Sequence, residues 1–180
     1  MPSEIIESVS VTPIPSSYQK ELGKNAYIDN IGTQRLEWVV RARSSSGAEG
    51  ISIANRMMRE GTVESMLAHI REALVGREVD QLLEISDGVV TGAGPCMDHW
   101  YRRNGWMTIL AFDLVGKVRG VSAIDLLGGK KHDSVPAYDT TLYFQDFLNP
   151  VRGASQVGDE AAQAVADGWR AIKIKLGRGG

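Results

Sequence analysis

Apolar residues recur along this chain at two different periods, and the periods change in a definite order. Residues 33–43 alternate at a period of two. Leu36, Trp38, Val40 and Ala42 share one face, and Arg35, Glu37, Arg41 and Arg43 share the other. That alternation predicts a half-buried antiparallel strand. Ser44-Ser45-Ser46-Gly47 turns the chain, and residues 48–54 can return as its hairpin partner. Upstream, residues 4–14 are rich in Ile and Val and predict a strand closed by Pro13 and Pro15. The polar, Gly-containing stretch 16–32 then predicts a long loop.

Helical spacing follows. Val63, Met66, Leu67, Ile70 and Leu74 form one apolar stripe, with Thr62 placed as N-cap and Gly76 as stop. Asp80 predicts the cap of a short helix running through Ile85. Met107, Leu110, Ala111, Leu114 and Val118 make a stronger stripe that ends at Gly120. Trp106, Ile109 and Phe112 are apolar as well, so that helix is expected to be buried on more than one side. Ser122 opens a short helix through Leu127, which Gly128-Gly129 stops.

The organisation changes near residue 130. Lys130-Lys131-His132-Asp133 reads as a polar connector, and Val135 to Tyr143 as a strand. Residues 155–167 read as a helix ended by Gly168, and Ala171 to Leu176 alternate again as a second strand. Strand, helix, strand predicts a βαβ unit with parallel strands and a right-handed crossover. The expected fold is an α+β domain over 1–130, with an antiparallel sheet plus helices. The start of a (β/α) barrel follows over 131–180, incomplete as a barrel because a full one takes about 250 residues.

Composition narrows the partners. Lys and Arg number 20 against 22 Asp and Glu, a net charge of −2, with no basic stripe to bind nucleic acid or an anionic membrane. No apolar run approaches the roughly 18 residues that span a bilayer. No signal-peptide pattern opens the chain, and the one cysteine, Cys96, cannot pair internally, so a cytoplasmic setting is expected.

Chemistry concentrates in the last predicted strand. Lys173 and Lys175 are two apart, so their Cβ atoms lie on one side roughly 6.5–7 Å apart. Two ammoniums that close disfavour each other's charge, and a lysine lowered toward neutrality can act as a general base. In a (β/α) barrel both would point inward, Lys175 nearer the mouth, while Ile172, Ile174 and Leu176 pack under helices. The competing reading is an exposed edge strand whose charges block unwanted pairing.

Three segments together resemble the enolase superfamily, in its mandelate racemase/muconate lactonizing enzyme group. Trp106 to Lys117, followed by Leu126-Leu127-Gly128-Gly129, is similar to the end of that family's N-terminal capping domain. Val135 to Thr141 resembles its first barrel strand, and Gly168 to Gly177 its second. The resemblance implies that Lys175 removes a proton α to a substrate carboxylate and that Lys173 helps depress its pKa. It also implies a Mg²⁺ ion that offsets the charge of the resulting enediolate. The family draws three acidic ligands from its third to fifth barrel strands. No acidic residue and no histidine follows Lys175 here. None of the residues present is therefore assigned as a metal ligand, and the 180-residue chain alone is expected to be inactive. The implied parent is a Mg²⁺-dependent enzyme of small carboxylates and a homo-oligomer. A sugar-acid dehydratase comes first, then a racemase or cycloisomerase. The alternative is a non-catalytic structural or assembly module.

Other candidates carry two readings each. Tyr18, Tyr27, Asn55 and Arg56 fall in stretches where the family closes its capping domain over substrate, or else are solvated. Thr140 and Thr141 both lie near the C-terminal end of the first barrel strand, where one of them either reaches substrate or does not, and parity does not choose between them. Asp113 and Lys117, at i and i+4, read as an intrahelical ion pair or a domain contact. His69 sits beside Met66 and Ile70 on a helix and reads as structural, His99 and His132 have no partner at metal-ligand spacing, and Cys96 lacks an activating neighbour. Gly92-Ala93-Gly94-Pro95 lacks the Lys-Ser/Thr of a phosphate loop and follows no clear strand.

Overall fold

The computed structural model describes residues 3–22, 32–54, 63–142 and 152–174. Two compact units divide the chain. One holds the N-terminus to Ile14 together with Leu36–Lys131, and the other holds Pro15–Arg35 together with His132 onward.

Three strands form one sheet, ordered β1 (Ile6–Leu22), β2 (Gly32–Ser44), β3 (Glu49–Ala54), with β1 as far as Ile14, β2 from Leu36 and all of β3 in the first unit. Strand β2 takes the alternation expected of it. Trp38, Val40 and Ala42 are buried, although Leu36 at the start of the stripe is exposed and Val39 on the other face is buried as well. The β2–β3 hairpin is antiparallel, with Val40 opposite Ser52 and Ala42 opposite Gly50. Strand β1 corrects the expectation of a stop at Pro13 and a loop from residue 16. It runs through Pro13 and Pro15 to Leu22. Proline cannot donate to a ladder, and β1 is the outer strand of the sheet, where a missing N–H costs little.

Helix α1 (Val63–Leu74) buries Ile70, Ala73 and Leu74, and the chain leaves it at Gly76 with φ +82°. The Thr62 cap falls outside the described residues. Asp80 caps no helix through Ile85. A single 3₁₀ turn over Val79–Gln81 leads into a hairpin of β4 (Leu83–Ser86) and β5 (Val89–Ala93). Its two-residue turn, Asp87-Gly88, has φ of +51° and +80°. Positive φ at both positions suits the right-handed twist of a tight hairpin, so the local turn outcompetes the helix. Gly92-Ala93 thus belongs to a strand, contrary to expectation.

Helix α2 (Asp98–Arg103) precedes the long helix α3 (Trp106–Arg119), which ends at Gly120 in the left-handed conformation. Helix α3 buries Trp106, Met107, Leu110, Ala111, Leu114 and Val115. Ile109 is 62% exposed, so burial does not reach round to that side as its composition suggested. Contact with β3 is close. A Cβ on Gly50 would stand 2.6 Å from Leu114 Cβ and 2.8 Å from the Leu110 carbonyl oxygen. Only glycine lets the helix rest directly on the strand backbone. Ser52, buried on β3, donates its hydroxyl to the Trp106 carbonyl at 2.8 Å. Helix α4 (Ala123–Leu126) opens as expected at Ser122, whose hydroxyl accepts from the Asp125 amide in a capping box.

In the second unit, β6 (Asp139–Leu142), α5 (Gly153–Ala166) and β7 (Ile172–Ile174) follow in order, and β6 and β7 pair in parallel. The βαβ reading holds. Strand β6 starts at Asp139 and not at Val135, which is 79% exposed. Among the described residues, no helix is long and apolar enough to cross a membrane.

Candidate functional site

The chemistry-bearing strand β7 is placed by its partner and its helix. The Asp139 amide donates to the Ala171 carbonyl at 3.0 Å, which starts the parallel ladder. Helix α5 buries Val157 and Ala164, and β6 buries Leu142. Lys173 is exposed. Lys175 and Leu176 lie outside the described residues. Ile172 is half-buried and Ile174 is 41% exposed, so neither is covered as fully as the barrel position predicted.

Register explains why parity could not separate Thr140 from Thr141. Asp139 stands opposite Ile172 and Leu142 opposite Ile174, so three steps on β6 answer two on β7. The ladder shifts within that span, and a shift of one residue changes which side chain faces which side. Thr141 is engaged locally. Its amide and its hydroxyl both donate to Asp139 Oδ1, at 2.8 and 2.7 Å. Thr140 is exposed.

An open groove of about 390 Å³ lies between β6 and α5, lined by Asp139, Thr141, Glu160, Gln163, Asp167 and Trp169. Lys173 does not line it. Asp139 is held by Thr141, and Asp167 accepts from Gln163 Nε2 at 2.8 Å. Among the described residues, no group of three or more His, Cys, Asp or Glu could hold a metal ion. These described residues do not fit a Mg²⁺ site.

Tyr18 sits on the outer arm of β1, half-buried, with the Arg35 guanidinium 4.6 Å from its ring centroid. A guanidinium over a ring face is a cation–π contact, and it fixes the tyrosine ring on the arm. Arg35 carries no motif of its own; its place on the polar face of β2 was the only signal for it. Tyr27, Asn55 and Arg56 lie outside the described residues.

His69, His99, Asp113 and Lys117 make local contacts. His69 is exposed on α1, with Nδ1 2.7 Å from the Ser65 carbonyl oxygen. His99 stacks at a tilt on Trp100, 5.0 Å between ring centroids. Asp113 and Lys117 pair at 2.8 Å, and both also reach β3.

No family model matches the chain. D-mannonate dehydratase of Rhizorhabdus wittichii is 27% identical over 145 residues, covering 77% of this chain and 33% of that protein. D-galactarolactone cycloisomerase of Agrobacterium fabrum is 39% identical over 71 residues, covering 39% of this chain and 18% of that protein. The chain thus spans about a third or less of the length of these relatives. Among solved structures, a mandelate racemase/muconate lactonizing protein of Geobacillus sp. Y412MC10, complexed with magnesium and tartrate, superposes with a TM-score of 0.69. It is 24% identical and covers 99% of this chain and 43% of that one.

Proposed function

From the premise that this chain has the fold of the N-terminal part of mandelate racemase/muconate lactonizing enzyme-like members of the enolase superfamily, we propose that it carries the base of an enzyme that removes the proton α to a carboxylate. A sugar-acid dehydratase is the first choice of reaction, on the strength of the D-mannonate dehydratase relative. A racemase or cycloisomerase is next, the latter on the D-galactarolactone cycloisomerase relative. One observation carries the reading: β7, with Lys173 exposed on it, pairs in parallel beside β6 after a single helical crossover. That is the arrangement in which barrel strands present side chains to substrate.

Lys175 is the base in this proposal, and Lys173 is its positioning and electrostatic partner. Spacing of i, i+2 sets the two on one side of the strand, and the cation of one favours the neutral amine of the other. The neutral Lys175 amine takes the α-proton and becomes an ammonium, while the electron pair of the broken C–H bond passes into the carboxylate. Thr140, Tyr18, Tyr27, Asn55 and Arg56 are proposed substrate contacts. Thr141 is proposed to position Asp139 and the end of β6. The magnesium bound by the Geobacillus protein would offset the charge of that product. No residue described here fits it, so the 180-residue chain alone is proposed to be inactive.

Exchange of the α-proton of D-mannonate and related sugar acids in D₂O with Mg²⁺, read by NMR, tests this. Two proteins are compared: the 180-residue chain, and the same chain extended by whatever coding sequence follows the codon for Gly180. The extended protein should exchange and the 180-residue chain should not. Lys175→Ala should lower exchange by about 10²–10⁴-fold. Exchange that survives Lys175→Ala overturns the base assignment. Turnover by the 180-residue chain, abolished by that variant, overturns its inactivity. A stop codon directly after Gly180 favours the non-catalytic module.

A further inference from the structure

Strand β3 is the outer strand of its sheet among the described residues, opposite β1. An outer strand presents backbone N–H and C=O groups that another strand can pair with, and apolar side chains make the hazard worse. Here Ile51 and Ile53 are 39% and 51% exposed. Two backbone groups of this edge are already engaged. The Ile51 amide donates to Asp113 Oδ2 at 2.8 Å, and Lys117 Nζ donates to the Glu49 carbonyl at 2.7 Å. The same Nζ donates to Asp113 Oδ2 at 2.8 Å, which ties the two side chains together.

Geometry makes the fit. Four residues of helix advance about 6 Å along the axis. Two residues of strand advance about 6.6–6.8 Å. Asp113 meets Ile51 and Lys117 meets Glu49, so α3 runs antiparallel to β3 with matching spacing. Gly50, between the two contacted residues, lets the helix approach closely enough for both side chains to reach. An exposed i, i+4 ion pair by itself contributes little. This one also satisfies two backbone groups.

We propose that the Asp113–Lys117 pair closes the β3 edge against strand addition, and that the strand it excludes is β3 of a second copy of this chain. A second copy presents the identical edge, and antiparallel β3–β3 pairing about a two-fold axis satisfies both edges at once. The pair therefore helps to set the oligomeric state as well as holding helix to strand.

The test uses the 180-residue chain and four variants: Asp113→Ala, Asp113→Asn, Lys117→Met and the double variant Asp113→Ala/Lys117→Met. Amide exchange at Ile51 should rise about tenfold or more in Asp113→Ala, with Leu114 on α3 unchanged as the internal reference. Asp113→Asn keeps an oxygen acceptor and should restore most of the protection. In sedimentation velocity the double variant should show a mass that climbs with concentration more steeply than wild type. Unchanged Ile51 exchange in Asp113→Ala overturns the edge contact. A double variant that self-associates no more than wild type overturns the blocking role. Where Asp113→Ala unfolds the chain, Lys117→Met removes the donor to Glu49 and the ion pair with Asp113 but leaves the Asp113 acceptor for Ile51, and its self-association decides the same question.

Discussion

The two units of this molecule spend their residues differently. The main apolar core, from Ile6 and Val40 through Leu114 to Leu126, lies entirely in the first unit. In the second, the buried apolar residues among those described are Leu142, Val157 and Ala164. Hydrophobic stabilisation scales with the apolar area removed from water, so among the described residues the first unit holds most of the apolar burial. The second carries the candidate chemistry on a three-residue strand with Lys173 exposed. Among the described residues, one unit has an extended apolar core, and the other sets the candidate groups over three buried apolar side chains. That division matches the general tendency for sites to sit where local stability is low.

The contrast can be broken by cavities placed in each unit. Leu114 is fully buried between α3 and β3, and Leu114→Ala should cost about 3–5 kcal/mol. Val157 is buried on α5, yet Val157→Ala should leave the main unfolding midpoint nearly unmoved. Urea titration followed by tryptophan fluorescence separates the two, because Trp38, Trp100 and Trp106 lie in the first unit and Trp169 in the second. Equal shifts would show that the chain unfolds as one cooperative body and would remove the contrast.

Legibility in the sequence follows the same divide. Strand β2 and helices α1 and α3 are long enough for a period to declare itself, and the pattern named the centre of each buried face (Trp38, Val40 and Ala42; Ile70 and Leu74; Met107, Leu110, Ala111 and Leu114) while missing Val39, Ala73 and Val115 beside it. Strand β4 is four residues long, too short for a period, and Asp80 just before it imitates a helix cap. The signal that identifies the β4–β5 hairpin was the Asp87-Gly88 pair, a turn cue and not a hydrophobic one. Prolines misled at β1 because a sequence does not announce that a strand will be the outer one. At the site, the Lys-x-Lys spacing named the strand. The shifted register opposite Asp139–Leu142 depends on pairing between segments far apart in the chain, and the hold of Thr141 on Asp139 is a local i, i+2 contact that strand alternation does not announce. Likewise, Asp113 and Lys117 were legible as an ion pair, but their reach to β3 depended on Gly50 packing against α3.

A smaller loss should sharpen the picture of the first unit. Tyr101 is half-buried, and its hydroxyl donates to the Leu82 carbonyl at 2.6 Å, holding α2 to the turn before β4. Burial pushes its phenol well above the usual tyrosine range, against a weaker opposing pull from Arg77, so it stays a neutral donor at ordinary pH. Tyr101→Phe keeps the ring and leaves the carbonyl without this donor. The expected cost is about 1–1.5 kcal/mol in the same urea titration. A variant as stable as wild type would mean that water replaces the hydroxyl.

The smallest expected effect is a pH dependence confined to the first unit. Glu4 Oε2 accepts from the Ser46 amide at 2.9 Å and the Ser45 hydroxyl at 3.1 Å, clipping the chain before β1 to the β2–β3 turn. The Ser46 amide bond is the main cause that lowers its carboxyl below the ordinary value, with the Ser46, Ser45 and Ser44 hydroxyls adding to it. A lowered folded pKa means that the unfolded chain takes up the proton more readily. The clip's stabilisation is therefore complete above the unfolded value near 4.5, and it is lost as pH falls through the folded value. Glu4→Gln has no carboxylate to titrate. The urea midpoints of wild type and variant should differ slightly at pH 7 and converge under acid. A gap of constant size from pH 7 to pH 3 would show that the carboxylate charge contributes nothing, and that the turn is held by its backbone bonds alone.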